Sequence, residues 1–524
     1  MKLFLQRLQR FIQNKKSPIF FLLAVNLIVG LFTFQDYGFS IDEPLFYRYA
    51  DAIGYAYSPA EWFSGDFVIT RAYGPSPADH GNRGPAYLLI ARFPAHLLQS
   101  LGLDVASSWH LVNFLTFQIG LYFFFIFCLR WMKPWAAFGA TAFLSTQPVL
   151  WEHAFINPKD PPFLVFFLIT LELGFRMADR LANPEPRDTR LQTLKHILLP
   201  AIFLGLTTNI RVLGPLAAML AGLYFLTLRK PVRIWWFVPY GVIAYAVMVV
   251  TWPYLWEAPI GKFIQVVQFM ADNPTTLQVY FYGKLYTADT LPGRYLPVMM
   301  LITQTEPVWP LAGLGFVIAA FRTLRKDIKW QTLLPTLLWL AIPFGYVLLR
   351  RPPMYDGFRH FLFIVPPIFV LGGIALDAIF NWLKQIWLQA AFIIALVLPG
   401  VIPVVNLHPY EYTYYNQFVG GTGKAALRYE TDYWLTCYKE AVEQLGRAIL
   451  EPVDLYVRRE FYIAAYYAPE NISVFDYKNK QIQPGDYVLY HSRAFPNLQR
   501  YADTNEYFQR VERDGAIFCE IRKR

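Results

Sequence analysis

Long apolar runs recur eleven times along this chain of 524 residues, at 18–34, 109–130, 134–150, 161–178, 196–210, 212–228, 233–251, 305–321, 331–349, 359–379 and 386–405. A helix needs about 20 such residues to cross the hydrocarbon layer of a bilayer, where lipid offers no partner for an open backbone N–H or C=O. The predicted fold class is therefore an α-helical polytopic membrane protein with about eleven transmembrane helices. Composition agrees: 55% of residues are hydrophobic and 16% charged. That is too apolar for one or two water-soluble cores and excludes a disordered chain. Three cysteines staple nothing of this length. The first run has basic flanks and no small-residue cleavage site, so it reads as a retained anchor.

The formal net charge of +10 suggests nucleic acid, but the basic residues sort by side. Loops 1–17, 130–133, 176–196, 229–233, 322–330 and 381–385 hold 20 Lys and Arg against 4 Asp and Glu. These are alternate loops, and cytoplasmic loops carry such an excess. The reading is an integral plasma (inner) membrane protein with a cytoplasmic N-terminus, an extracytoplasmic C-terminus and no nucleic-acid partner. The outer side then carries 35–108, 151–160, 252–304, 350–358 and 406–524. The large first outer loop, 35–108, contains two amphipathic stretches, 44–57 and 85–101, predicted to lie on the membrane surface.

Residues 1–405 are expected to form the transmembrane domain and 406–524 a small soluble α/β domain outside. In the latter, helical runs at 438–450 and 460–468 alternate with strand-like runs at 453–457, 472–475, 486–490 and 516–521. It either helps choose a substrate or braces the outer loops, and its few clustered acids and histidines favour bracing. Cys437 and Cys519 both fall there. An oxidising compartment permits a bond between them, and two free thiols are the alternative.

Charged clusters at the outer membrane edge are where chemistry is expected, because polar groups near hydrocarbon are costly. Asp42-Glu43 follows the first span. An acid pair beside apolar surface can act as a base or bind a cation such as Mg²⁺ or Mn²⁺; the alternative is a solvated cap for the helix that Pro44 begins. Asn157-Pro158-Lys159-Asp160 precedes the fourth span, and Lys159 and Asp160 can simply pair with each other. Arg350-Arg351 through Arg359-His360 is an outer loop dense in arginine, against the sorting rule. Arginine forks match phosphate, although they also snorkel to headgroups. Arg211 lies between two spans beside Asn209, as an anchor or a pocket lining. Asp79-His80-Gly81-Asn82-Arg83 forms a turn whose His80 and Arg83 face a site or water. His80, Asp79 and the distant His408 lack metal-ligand spacing, so no metal site is assigned. There is no H-E-x-x-H, C-x-x-C, Walker loop, G-x-S-x-G or G-x-G-x-x-G, which argues against ATP-driven, zinc-protease and serine-hydrolase chemistry.

These landmarks run in an order that resembles a known family. They are Asp42-Glu43, Arg83-Gly84-Pro85-Ala86-Tyr87-Leu88, Asn157-Pro158-Lys159-Asp160, and Tyr282-Gly283 through Tyr295-Leu296-Pro297. Arg359-His360-Phe361-Leu362 with Pro366-Pro367, His408-Pro409-Tyr410-Glu411-Tyr412 and Glu430-Thr431-Asp432-Tyr433-Trp434 follow. The chain resembles the lipid-carrier-dependent glycosyltransferases of the GT-C class, and among them the bacterial relatives of protein O-mannosyltransferases and of the aminoarabinose transferases. The resemblance implies a sugar donor on a polyprenyl phosphate at the outer leaflet, with a lipid, protein or glycan acceptor and no certain cofactor. It implies Asp42 as the base that orients the acceptor, Glu43 in support, and Arg83 and Arg359, with Lys159 and Arg211, on the lipid phosphate. Asp160, His80, His360 and His408 are further site candidates. The chain departs from the family at Arg83, where Lys before two prolines is frequent, at Leu435, where Gly is common, and at Cys437, where Ser is common.

The residues agree on physical grounds. Phosphate leaves readily once neutralised, so one carboxylate and a set of cations suffice, and direct displacement inverts the anomeric carbon. A transporter or flippase for a lipid-linked glycan is the alternative. It sits poorly with acids at the rim instead of mid-span and with no evident inverted repeat. An O-antigen-type polymerase or ligase is expected to use a late outer loop, and a purely structural receptor needs no converging charges.

Overall fold

All eleven apolar runs are helical in the computed structural model, which describes residues 17–185, 189–228, 231–271, 275–478, 482–493, 498–499 and 507–524. Most of the basic segment 1–17 lies outside the described residues. In chain order the longer helices are α1 (Ser17–Thr33), α2 (Glu43–Ala52), α3 (Ala86–Ser100), α4 (Val105–Cys128), α5 (Pro134–Ser145), α6 (Pro148–Ile156), α7 (Asp160–Ala182), α8 (Arg190–Ile210), α9 (Pro215–Thr227) and α10 (Phe237–Val250). They continue with α11 (Pro259–Ala271), α12 (Tyr295–Ile302), α13 (Val308–Leu324), α14 (Trp330–Arg350), α15 (Pro366–Trp382), α16 (Ile386–Leu407), α17 (Cys437–Ala448) and α18 (Phe461–Tyr467).

Among the described residues six helices are long and apolar enough to cross a membrane: α4, α7, α8, α14, α16 and the segment Arg233–Val250 that includes α10. Four more, α1, α9, α13 and α15, are apolar but shorter. The chain is an integral membrane protein, and strongly exposed apolar side chains such as Phe32, Val238, Leu349 and Val405 face outward from these helices. The run 134–150 is not one helix. Pro148 has no N–H to extend α5 and forces Gln147 into an extended conformation, so the chain breaks into α5 and α6. Gln147 then stitches the break to the loop before α13, donating to Thr305 Oγ1 at 3.0 Å and accepting from Thr305 N at 3.0 Å.

Helix packing leans on small residues, as in membrane proteins generally. A Cβ at Gly315 of α13 would fall 1.8 Å from the Leu371 carbonyl of α15. The basic ends of the helices are tied by ion pairs, Arg130 to Glu172 at 2.8 Å and Arg322 to Asp377 at 2.9 Å. Both amphipathic stretches of the first loop are helical, and α3 leaves Ile90, Phe93 and Leu97 exposed along one face.

The C-terminal region forms a five-stranded sheet. The hairpin Gln278–Phe281 (β1) and Lys284–Thr287 (β2) precedes it in the chain. Strands β3 (Val453–Val457), β4 (Ile472–Asp476), β5 (Tyr487–His491), β6 (Gln509–Arg513) and β7 (Ala516–Lys523) take the order β4-β3-β5-β7-β6. The first three are parallel and the last two pairings antiparallel. Cys437 of α17 and Cys519 of β7 are disulfide-bonded, with Cα atoms 5.9 Å apart, which resolves the open choice between bond and free thiols. The hairpin β1–β2 turns at Tyr282-Gly283, both at positive φ, a geometry that matches the twist of paired strands.

Candidate active site

Helix ends opposite the basic loops bring six of the sequence-nominated groups together. Asp42 is the N-cap of α2, yet its side chain makes no capping hydrogen bond. Its carboxylate, 36% exposed, instead reaches Arg359, with Oδ2 3.5 Å from Nη2. Arg359 is buried, and its guanidinium also meets Asp160 Oδ2 at 3.1 Å and Asp356 Oδ2 at 3.1 Å. The rings of Trp434 and Tyr355 flank it at 4.8 and 5.3 Å. Burial opposes its charge, but Asp356 and Asp42 hold its pKa above the ordinary arginine value.

Asp160 does not pair with its neighbour Lys159. Asn157 folds the turn before α7: its Oδ1 accepts from the N–H groups of Lys159 and Asp160, and its Nδ2 donates to Asp160 Oδ2 at 2.9 Å. Asp160 is thereby aimed inward, between the guanidiniums of Arg359 and Arg211. The opposite sense follows for Lys159, which packs over the Phe46 ring at 5.5 Å. Arg83 lies over the same ring at 5.9 Å, with Nε 2.8 Å from Asp79. Gly84 makes this approach feasible, since a Cβ there would fall 1.6 Å from the Asn209 carbonyl; Asn209 Oδ1 accepts from Ala86 N at 2.9 Å. The loop of Arg83 is thus pinned to the end of α8, where Arg211 follows.

Burial and mutual repulsion among the cations dominate the electrostatics of the cluster. Burial, then Arg83 and Arg211, hold Lys159 well below the usual lysine range. Burial and the neighbouring Arg359 push Arg211 down to about 9, still cationic at neutral pH. The Nε atoms of Arg211 and Arg359 are buried donors without an acceptor among the described residues. Such groups are costly unless something accepts from them.

Three nominated residues lie elsewhere. Glu43 is fully buried and turned away from the cluster. It accepts from Ser40 N at 2.6 Å and from the Tyr47 hydroxyl at 2.5 Å, and it meets His110 Nε2 at 2.9 Å. Asp42 and Glu43 therefore do not converge on a common cation, and Glu43 fixes the backbone that presents Asp42. His80 is a packing residue, stacked on Tyr49 at 4.7 Å with Nδ1 2.9 Å from the Tyr73 carbonyl; burial keeps its pKa low. His408 joins Glu411 at 2.8 Å and Asp36 at 3.0 Å, a brace between α1 and the C-terminal region. His360 does adjoin the cluster, edge-on to Tyr355 at 4.8 Å, and burial and then Arg359 hold it neutral.

The sequence reading missed Asp356, Arg493 and Tyr355. Asp356 lies inside the Arg-rich loop, at positive φ before Gly357, which turns its carboxylate back on Arg359. Arg493 comes from the C-terminal domain, 2.7 Å from Asp356 Oδ1, and also donates to the Tyr433 carbonyl. Trp434 Nε1 donates to Asp356 at 3.2 Å. Leu435, where the family favours Gly, has φ +64, a left-handed conformation that suits Gly. Among the described residues the one close trio of metal-ligand types is Asp432, Cys437 and Cys519. Its thiols are bonded to each other, and Asp432 accepts from the N–H groups of Thr436 and Cys437.

No protein-family model and no curated protein sequence matches the chain. Among solved structures it is similar to ArnT from Cupriavidus metallidurans in the apo state, with TM-score 0.48 and 15% identity over 96% of this chain and 97% of that one. It is similar to the same ArnT bound to undecaprenyl phosphate, with TM-score 0.48 and 14% identity over 95% and 96% of the two chains. It is also similar to the Archaeoglobus fulgidus oligosaccharyltransferase, with TM-score 0.45 and 11% identity over 85% of this chain and 60% of that one.

Proposed function

We propose that this chain is an integral membrane glycosyltransferase that moves a sugar from a polyprenyl-phosphate carrier to an acceptor on the outer side of the membrane, with inversion. The observation that carries the reading is the contact between Asp42 and Arg359 within a ring of cations. A free carboxylate edge stands beside Arg83, Lys159, Arg211 and Arg359, two of which offer unmet buried donors. Phosphate fits such a ring, because it accepts several charge-assisted hydrogen bonds at once.

In this account the acceptor's O–H or N–H attacks the anomeric carbon from the face opposite the phosphate. The bond from that carbon to the phosphate oxygen breaks, and its electron pair leaves with the phosphate, neutralised by the cations. The acceptor's proton passes to Asp42. Asp160 acts as a positioning residue, holding Arg211 and Arg359 a fixed distance apart. Glu43, through Ser40 and His110, holds the turn on which Asp42 sits. The N-terminus is assigned to the cytoplasm, and the inner membrane is the proposed location.

A membrane assay with a panel of polyprenyl-phosphate sugars tests this, comparing wild type with Asp42→Asn and adding EDTA to each. Transfer by the wild type, its loss in Asp42→Asn and an inverted product by NMR are expected. A retained anomeric configuration contradicts direct displacement.

A further inference from the structure

Charges at the site alternate along a line: Arg211, Asp160, Arg359, Asp356, Arg493. Asp160 is shared by Arg211 and Arg359. Asp356 is shared in the same way, with Oδ2 3.1 Å from Arg359 Nη2 and Oδ1 2.7 Å from Arg493 Nη1. The last four side chains of the line are buried, so salt screens them little. Three guanidiniums thus face two carboxylates, and one positive charge is left over. Asp42, at the rim, meets that charge through Arg359. Two other charged side chains stand near Arg493. Glu430 has its pKa raised to about 8, by burial above all, and adds little negative charge at neutral pH. Arg459 is offset by Glu460 at 3.6 Å.

Arg493 is rigidly mounted. It lies just past the end of β5, the middle strand of the sheet, whose residues are all buried. His491 is in register with Cys519, which the disulfide ties to α17, and Ser492 N donates to the Phe518 carbonyl at 2.9 Å. Arg493 also donates to the Tyr433 carbonyl, and the next residue, Trp434, donates from Nε1 to Asp356 Oδ2 at 3.2 Å. A residue that only braces the domain needs an acid of its own, as Arg513 has in Glu440 at 2.8 Å. Arg493 instead takes half of a carboxylate that Arg359 also uses. Without it, Asp356 would pair with Arg359 alone, and the line would hold two cations and two anions.

We infer that Arg493 is a positioning residue of the phosphate site: by sharing Asp356 it leaves Arg359 a net positive charge for the donor's phosphate, which makes the C-terminal domain part of the binding machinery. The inference rests on reading the cluster as a phosphate site. Arg493 acts through Asp356 and needs no contact with the phosphate, because charges in a buried setting interact strongly over several ångströms.

The test is equilibrium binding of undecaprenyl phosphate to the full chain in nanodiscs at neutral pH, with melting curves to check the fold. Arg493→Met removes the charge and the hydrogen bonds. Arg493→Gln removes the charge but keeps a donor for the Tyr433 carbonyl, and Arg493→Lys keeps the charge. Both neutral variants are expected to bind about tenfold more weakly, and Arg493→Lys within about threefold of wild type. Combining Arg493→Met with Asp356→Asn restores the surplus charge and is expected to recover most of the loss. Arg513→Met breaks an ion pair of the same domain outside the line and is expected to bind as wild type does, whatever its effect on melting. If Arg493→Met does not fold, the contrast between Arg493→Gln and Arg493→Lys decides. Wild-type affinity in the neutral variants, or a double variant no better than Arg493→Met, overturns the inference and leaves the phosphate reading standing. No binding by the wild type defeats the phosphate reading itself, and the inference with it.

Discussion

The Asp42 carboxylate lies 3.5 Å from the Arg359 guanidinium, joining the turn after the first membrane helix to the loop before α15. Arg359 is in turn fixed by Asp160 and Asp356, while Asp42 keeps an open edge. The two residues thus differ in freedom: the cation is clamped and the carboxylate is available.

Asp42→Asn should therefore lower transfer by about 10²–10⁴-fold, the usual worth of a positioned base. Binding of undecaprenyl phosphate should persist or tighten, because the substitution removes a negative charge beside the phosphate site. Single-turnover transfer together with a filter-binding assay separates the two effects.

Asp160→Asn should act on stability more than any exposed acid. Two guanidiniums share this buried carboxylate, and breaking a buried pair costs about 3–5 kcal/mol. The half-exposed pair between Arg83 and Asp79 is worth about 1 kcal/mol or less. Thermal unfolding in detergent should show a large drop for Asp160→Asn and little change for Asp79→Asn.

Donor affinity should fall as pH rises. Lys159 is held low by burial and by Arg83 and Arg211, and a bound phosphate restores its charge. Binding then takes up a proton, and the affinity is lost once the pH passes the depressed pKa of the free protein. Lys159→Arg keeps its charge throughout and should flatten the profile.

Glu430 predicts a stability profile of its own. Its folded pKa, about 8, lies above the ordinary glutamate value. The folded chain thus holds this proton where the unfolded chain has released it, and the stability contribution declines as pH rises toward that value. Glu430→Gln should remove this slope and raise the melting temperature above about pH 8.

Reducing the bond between Cys437 and Cys519, which lie 82 residues apart in sequence, should cost the C-terminal domain up to about 4 kcal/mol. Cys519→Ser should match the effect of dithiothreitol on the melting curve, and dithiothreitol should do nothing further to that variant.

Much of the membrane architecture was legible because each crossing must satisfy its backbone internally, which writes itself as a long apolar run. The break at Gln147-Pro148 was legible only as a proline, since its repair by Thr305 is a distant contact. Four of the five C-terminal strands follow from alternating or apolar runs. Strand β6, Gln509–Arg513, buries only Val511 and so carries almost no pattern. The cations of the site were readable as arginines out of place. Their pairings were not: Lys159 and Asp160 are adjacent in sequence, yet the Asn157 turn sends Asp160 to Arg211 and Arg359. Glu43 looked equivalent to Asp42, but the helix that begins there turns one inward and leaves the other at the rim. Arg493 reaches the site from the far end of the chain, and no local spacing foretells such a contact.

The most direct measurement is a cryo-electron microscopy map of the full chain in nanodiscs with undecaprenyl phosphate bound. The account predicts phosphate density within about 3 Å of donor atoms on Arg359 and at least one of Arg83, Lys159 and Arg211, with Asp42 facing the same space. Phosphate held at the opposite end of the helices, near Arg130 and Arg322, would contradict it.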